Sequence, residues 1–443
     1  MRNLLRNIKR RSEHPSLFTL EGQFADVPAV LVAAGPSLDR NIHLLRQVQD
    51  DVLIICVNTS LKALLKANVK PHLVMSLESL NVSSHFKGDD SVLHGLNLVL
   101  DETCHPSLFD MPAERIFTFL ESSPAFLAFA ERATQKEARG VCVGGSIANA
   151  AFSCANMFGC NPIILIGQDL AYTNNQVYAS GTVFEDITLD TSGEVARLND
   201  PLGIKQQILD DTGDGGATYY AERRLFPVTS WDRTGTVMTS MDFNLFRYWF
   251  QEAAAQVKGT QDVTLINATE GGSYIENFEH ITLAEAFEQY VTRNGPEQPD
   301  MEATIAERHA SAPLLPASWC QRAVEGAQED CVTLEERAVE ALELLDGLIV
   351  SLDTDGPDSE AFGLKLVAFE QVEETLKELG KTNSLVEACI HQQINTILDR
   401  GNPLQESDDR LERWSLHLQQ SREVLEAIRD GAQSLLDEID AVS

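Results

Sequence analysis

The sequence predicts an α/β protein, with a mostly parallel, Rossmann-like sheet over residues 26–292 and an all-α region over 293–443. Three observations carry this. Short unbroken apolar runs alternate with helical patterns through the first part of the chain. The runs lack the polar alternation of a half-solvated strand, so they read as strands buried on both faces, as in a parallel sheet covered by helices. Past residue 293, apolar residues recur at helical spacing over long stretches such as "TLEERAVEALELLDGLIVSL" and "RLERWSLHLQQSREVLEAIRDGAQSLLDEID".

Taken in order, "AVLVAA" (29–34) is the first strand. "SLDRNIHLLRQVQ" (37–49) places Leu38, Ile42 and Leu45 on one face and reads as a helix. "DVLIICVN" (51–58) is a second strand, and "TSLKALLKANV" (59–69) is a short helix starting at a Thr/Ser cap. "PHLVMSLE" (71–78), "LNLVLDE" (96–102) and "ERIFTFL" (114–120) follow as strands. In "VCVGGSIANAAFSCANMFGCNPIILIGQDLAYT" (141–173), Gly144, Gly145 and Ser146 open a helix dense in small residues. Gly159 ends that helix, and "NPIILIG" is again a buried strand. "VMTSMDFNLFRYWFQEAAAQV" (237–257) reads as an amphipathic helix, and "DVTLINATEGG" (262–272) as a strand with a polar, glycine-rich tip.

Around this core, residues 1–25 are expected to form an N-terminal lead-in. Residues 183–236, including "LDDTGDGGATYY", read as an insertion or lid, or else as a disordered segment. "RNGPEQPD" is a linker into the helical region, which is either a partner-binding appendage or a packing domain with solvated acidic faces.

With 34 basic against 67 acidic residues and a formal charge of −33, the chain is not a general binder of nucleic acid or anionic membranes. That affinity needs clustered Lys and Arg. The charge still leaves room for a local anion site built from backbone N–H groups. The basic start "MRNLLRNIKRR" has no apolar stretch after it, and no window reaches the roughly 18 apolar residues of a membrane span, so a cytoplasmic location is expected. The cysteines form no Cys-x-x-Cys pair and sit mostly in apolar runs, which reads as buried reduced thiols.

In an open parallel sheet, ligands bind outside the carboxyl ends of the strands. Five polar tips fall there: Gly35-Pro36-Ser37, Asn58-Thr59-Ser60, Ser76-Leu77-Glu78, Gln168-Asp169, and Asn267-Ala268-Thr269-Glu270-Gly271-Gly272. Gly35 permits a tight turn and close approach to a ligand. Ser37 is expected to cap the next helix, whose free N–H groups attract phosphate. Gly144-Gly145-Ser146 offers a second cradle. Neither GxxxxGK[ST] nor GxGxxG is present. The "AGPS" turn alone is as well read as punctuation. Two cradles and "NATEGG" on one edge point to a nucleotide or nucleotide-sugar. The acid and base candidates are Asp169, Glu270, Glu78 and Tyr178. A strand-end carboxylate deprotonates a hydroxyl, binds a ribose or metal, or caps a helix. His43, His72 and His280 are expected to be structural, and no metal-ligand spacing is seen.

Four blocks in order, "PAVLVAAGPSLDRNIHLL", "VNTSLKALLKANVKPHLVMSLE", "GGSIANAAFSCANMFGCNPIILIGQDLAYT" and "INATEGGSYIENFEHITL", resemble the central domain of the bacterial motility accessory factors, the Maf flagellin glycosyltransferases. That domain is similar to the MptE-like 6-hydroxymethylpterin pyrophosphokinases. The resemblance covers about residues 20–290 and does not clearly extend to the C-terminal helices. It implies a sialyltransferase-like fold and transfer of a nonulosonic acid, of pseudaminic or legionaminic type, from its CMP form to Ser or Thr of flagellin. No cofactor or essential metal is implied, the CMP-sugar being substrate.

The resemblance also implies residue roles. The turn at Gly35, Pro36 and Ser37 is similar to the GPSL of bacterial sialyltransferases, which cradles CMP. Asn58 would contact the nucleotide, and Gly144, Gly145 and Ser146 its phosphate or ribose. Glu78, Gln168, Asn267, Thr269, Gly271 and Gly272 would line the donor or acceptor side, with Glu270. The sequence departs from the family at "VYASG", where many members carry a histidine and this chain has Tyr178. A tyrosine donates a hydrogen bond to a leaving phosphate but is a poor base near pH 7. That shifts the expected base to Asp169 or Glu270. Two alternatives stay open: an ATP-dependent pterin pyrophosphokinase with Mg²⁺ on Glu78, Asp169 and Glu270, and a non-catalytic flagellin-binding accessory protein.

Overall fold

The computed structural model describes residues 2–86, 93–192, 195–205, 222–291, 298–382, 384–399 and 409–442. "LDDTGDGGATYY" and most of "RNGPEQPD" lie outside the described residues. Contacts divide the chain into two compact units. One comprises Glu13–Glu121 and Val141–Leu314; the other comprises Met1–Ser12, Ser122–Gly140 and Leu315–Ser443.

In chain order the elements are α1 (Arg2–Arg6), α2 (Ile8–Glu13), β1 (Ala29–Val32), α3 (Leu38–Asn41), β2 (Leu53–Val57), α4 (Leu61–Lys66), β3 (Leu73–Ser76), β4 (Asn97–Asp101), β5 (Arg115–Phe119), α5 (Pro124–Thr134), α6 (Ile147–Met157) and β6 (Ile163–Ile166). There follow β7 (Thr188–Asp190), β8 (Ala196–Asn199), β9 (Glu222–Arg223), β10 (Phe226–Thr229), β11 (Thr236–Thr239), α7 (Met241–Thr260), β12 (Leu265–Asn267), α8 (Leu283–Tyr290) and α9 (Met301–Ser311). The long helices α10 (Ala317–Asp355), α11 (Glu360–Thr382), α12 (Ser384–Leu398) and α13 (Arg410–Val442) end the chain.

The α/β unit is built on a seven-stranded sheet in the order β12-β6-β1-β2-β3-β4-β5, every neighbouring pair parallel. Strand geometry sends successive side chains to opposite faces. Ala29 and Leu31 therefore join a core with Phe152, Phe158 and Phe250, while Val30 and Val32 join one with Leu38, Leu64 and Leu283. Both faces are covered, which is why these strands read as unbroken apolar runs. The sequence reading of the sheet holds for all seven strands.

Three helices depart from the reading; α4 lacks the expected Thr/Ser cap, the Ser60 hydroxyl donating instead to the Val32 and Val57 carbonyls at 2.9 Å. The pattern at 37–49 is not one helix: α3 stops at Asn41, whose φ of −132° leaves the helical region, and a 3₁₀ stretch runs over Ile42–Gln47. Asn41 is buried, with its side-chain amide donating to the Ala268 carbonyl at 2.9 Å and to Glu270 Oε1 at 3.0 Å. These tertiary bonds override the apolar spacing. The helix expected from 237 begins at Met241, because Thr236–Thr239 pairs with Phe226–Thr229 as an antiparallel hairpin. The β-branched "TVMT" favours a strand. Residues 183–236 also contain the small β7-β8-β9 antiparallel sheet over Tyr172, Val177, Phe184, Ile187 and Leu189.

Residues 13–25 are built into the core of this unit, Leu17, Leu20 and Phe24 being fully buried. In the helical unit, α10 packs on α11 and α13, and α1 on α13. Buried Ala327, Cys331, Leu334, Ala338, Ala341, Leu345, Leu348 and Leu352 recur along α10 at the alternating three- and four-residue steps of a coiled-coil seam. Among the described residues, no helix is long and apolar enough to cross a membrane.

Candidate functional site

The chain runs β1 to β5 across one side of the sheet and returns with β6 on the other side of β1, so the topological switch point lies between β1 and β6. Their carboxyl ends are Ala33-Ala34-Gly35 and Gly167-Gln168-Asp169. The crevice outside such a point is where ligands enter doubly wound sheets. Here it opens into a cavity of about 480 Å³, lined by both strand ends.

The "AGPS" turn does bind an anion, but the anion is the protein's own. Ser37 Oγ donates to Asp169 Oδ1 at 2.6 Å, and the Ser37 N–H points at both carboxylate oxygens at 3.2 and 3.3 Å. Ser37 therefore does not cap α3, correcting the expected cap; α3 is also only four residues long. The Gly35 N–H donates to the Gly167 carbonyl at 2.8 Å. A Cβ on Gly35 would lie 2.1 Å from Asp169 Oδ2, so glycine is required for β1 and β6 to close on this carboxylate. Burial pushes the Asp169 pKa up to about 6, against the Ser37 hydrogen bonds and the Arg40 charge that hold it down.

"NATEGG" clamps the same cluster from β12. A Cβ on Gly271 would meet Ser37 Oγ at 2.0 Å, and one on Gly272, at φ +69°, would meet the Asp169 carbonyl oxygen at 2.1 Å. Asn267 Oδ1 accepts from the Thr269 N–H, and Thr269 Oγ1 accepts from the Gln168 N–H at 3.2 Å. Glu270 Oε1 accepts from Asn41 and from the Leu283 N–H that opens α8, both at 3.0 Å. Gly35, Gln168 and Asp169 line the cavity; Pro36, Ser37, Asn267, Thr269, Glu270, Gly271 and Gly272 stand behind it.

The second cradle faces the cavity. Gly144 and Gly145 both take positive φ, +57° and +86°, a conformation glycine adopts without strain. Ser146 caps α6, its hydroxyl accepting from the Asn149 N–H at 3.2 Å and bonded also to the Asn149 side chain. Gly145, Ser146, Ile147 and Ala148 line the cavity. The first N–H groups of an eleven-residue helix have no intrahelical acceptors and carry the positive end of its dipole, which favours an anion. Phe152 on α6 meets Trp249 and Phe250 of α7 edge to face at 6.1 and 5.9 Å, which fixes the orientation of the helix start.

Glu78, Tyr178, His85, Lys205 and Arg223 also line the cavity, with His85, Tyr178 and Lys205 gathered on the Phe184 ring. Lys205 Nζ donates to the Tyr178 hydroxyl at 2.9 Å and sits over the Tyr178 and Phe184 rings at 5.0 and 5.3 Å. Burial opposes the Lys205 charge, but the Tyr178 oxygen outweighs it and holds the pKa above the lysine norm. Burial raises the Glu78 pKa, and Lys205 opposes the rise. Arg223 pairs with Asp242 at 3.7 Å. Asn58 is fully buried and does not line the cavity; its Nδ2 lies 2.8 Å from Nδ1 of the lining residue His85.

Sequence reasoning missed His85, Lys205 and Arg223. His85 lies just past the β3 tip, where the strand-end rule pointed. Lys205 and Arg223 lie on either side of "LDDTGDGGATYY" in the sequence and carried no periodic signal. His72 and His280 are structural as expected: His72 Nδ1 accepts from the Ile54 N–H at 3.0 Å, and His280 bonds the Ile275 backbone. Cys56, Cys104, Cys154, Cys160 and Cys331 are buried.

Residues 2–175 match the MptE-like family model, described as 6-hydroxymethylpterin diphosphokinase MptE-like. The matched stretch holds the first three sequence blocks; "NATEGG" lies beyond it. A search of curated proteins found no match. Among solved structures, the chain is similar to the Maf glycosyltransferase from Magnetospirillum magneticum AMB-1, with a TM-score of 0.54 and 15% identity over 100% of this chain. The chain spans 58% of the length of that protein. The resemblance to the Maf and MptE-like group holds, and at this identity the structural likeness speaks for the fold.

Proposed function

We propose, from an MptE-like segment carried on the fold of a Maf glycosyltransferase, that the chain is a glycosyltransferase. It would move a nonulosonic acid of pseudaminic or legionaminic type from its CMP form to Ser or Thr of flagellin, in the cytoplasm, in support of flagellum assembly. The observation that carries this reading is that the N-terminus of α6, Lys205 and Arg223 all line the switch-point cavity. A phosphate on the α6 N–H groups would share the cavity with two cations, a fit for an acidic, phosphate-bearing donor.

The reaction on this reading is a displacement at the anomeric carbon. The acceptor oxygen forms its bond there as the bond to the CMP phosphate oxygen breaks, and the bonding pair leaves with CMP. Lys205 occupies the Tyr178 oxygen as donor, which leaves the Tyr178 O–H to donate to the departing phosphate. Glu78 takes the acceptor proton: its carboxylate lines the cavity with its pKa raised by burial, toward the range a base needs. Asp169 and Glu270, bound to Ser37, Asn41 and Leu283, position the strand ends. No metal or organic cofactor enters the proposal.

The test is incubation of the protein with flagellin and a CMP-nonulosonic acid, read by intact mass. Sugar addition that Glu78→Gln abolishes supports the reading; flagellin unchanged by folded protein with both donor types refutes it. The family description favours a second reading, diphosphoryl transfer from ATP to a hydroxymethylpterin. AMP release from Mg²⁺-ATP with that pterin, without sugar transfer, would establish it instead.

A further inference from the structure

His85 is 1% exposed, lines the cavity, and has one ring nitrogen engaged and one without a partner. Its Nδ1 is held by the Asn58 side-chain amide at 2.8 Å, and its Nε2 is shut from solvent with no hydrogen bond. The ring stands edge-on to Phe184, centroids 4.9 Å apart at 87°, and Lys205 Nζ lies over that same Phe184 ring. The Ser83–His85 turn that carries it is pinned by Lys62 Nζ on the Ser84 carbonyl at 2.9 Å. A buried polar atom left without a partner is costly and calls for an explanation, and one on a cavity-lining residue is explained by a ligand that completes the bond.

If the Asn58 amide N–H donates to Nδ1, that nitrogen carries the lone pair and the proton of the neutral imidazole sits on Nε2. We propose that Asn58 is a positioning residue that locks His85 in this tautomer, and that the His85 Nε2–H is a phosphate-binding donor in the cavity. The inference rests on the nucleotide-sugar reading and assigns one contact within it. Burial, with Lys62 and Lys205 nearby, pushes the His85 pKa down to about 4, so the donor is the neutral ring over the working pH range.

The test compares CMP with cytidine, which lacks the phosphate, by calorimetric titration of wild type and His85→Phe. Phenylalanine keeps the ring against Phe184 and removes the donor. CMP affinity is expected to fall about tenfold or more, as for one hydrogen bond to a charged group, with cytidine affinity unchanged. Equal CMP affinity in the two proteins, or equal losses for CMP and cytidine, overturns the phosphate contact. Nitrogen-15 NMR of histidine-labelled protein, assigned by the signal missing in His85→Phe, reads the lock directly. The neutral Nε2–H form from pH 6 to 8, perturbed on adding CMP, is expected; the Nδ1–H form overturns the role given to Asn58. If wild type binds neither ligand, the nucleotide reading itself fails, while the tautomer still decides the Asn58 lock.

Discussion

Replacing Asp169 with asparagine tests whether burial holds its carboxyl above the ordinary carboxylate range. The folded protein raises this pKa from 3.8 to about 6 by burial. A raised folded pKa means that the protonated form is the one favoured by folding. The ionised form therefore costs stability, with nothing lost well below pH 3.8 and the cost fully developed above pH 6. The shift of roughly 2.2 units corresponds to about 3 kcal/mol at pH 8, at about 1.36 kcal/mol per unit. About half of it, roughly 1.4 kcal/mol, develops between pH 5 and pH 7.5. The introduced asparagine stays neutral throughout, and its side-chain oxygen still accepts from Ser37. Asp169→Asn should start with an offset of about 1 kcal/mol for the weaker hydrogen bonds and then gain on wild type as pH rises. Urea unfolding of both proteins across this range measures the difference. Parallel stability curves would refute the reasoning, and so would an advantage that shrinks with rising pH.

Other expectations follow from the same cluster. Gly272→Ala puts a methyl 2.1 Å from the Asp169 carbonyl at a positive φ, and should cost about 3 kcal/mol or more in urea unfolding; an unchanged midpoint would contradict the packing. Glu270→Gln keeps an oxygen for Asn41 and Leu283 and should leave sugar transfer near wild type, whereas a rate loss beyond a hundredfold would identify Glu270 as the base. Ser146→Ala removes the α6 cap and should lower stability by about 1 kcal/mol while weakening CMP binding; unchanged CMP affinity would argue against the cradle.

The sheet was legible because parallel strands buried on both faces leave unbroken apolar runs, and Val30-Leu31-Val32 feeds both cores at once. The switch-point location was legible for the same reason, since each run ended in a polar tip. What eluded the sequence were the tertiary partners of those tips. Nothing local says that the Ser37 hydroxyl meets Asp169, 132 residues away, rather than its own helix. Nor does the pattern at 37–49 show that Asn41 commits its side chain to Ala268 and Glu270, just past β12, and ends the helix. The cations were hidden for another reason. Lys205 is held at the cavity by Tyr178 and Phe184, contacts with no periodicity to read.

The most direct test of the central claim, that the α6 N-terminus holds the ligand phosphate, is a metal-free calorimetric titration of CMP into wild type and Ala148→Glu. Ala148 lines the cavity in the first turn of α6, where a glutamate favours the helix dipole but repels a phosphate. The predicted result is CMP binding to wild type, and loss of that binding in a variant at least as stable. CMP binding that survives Ala148→Glu, or no binding to folded wild type, would contradict it.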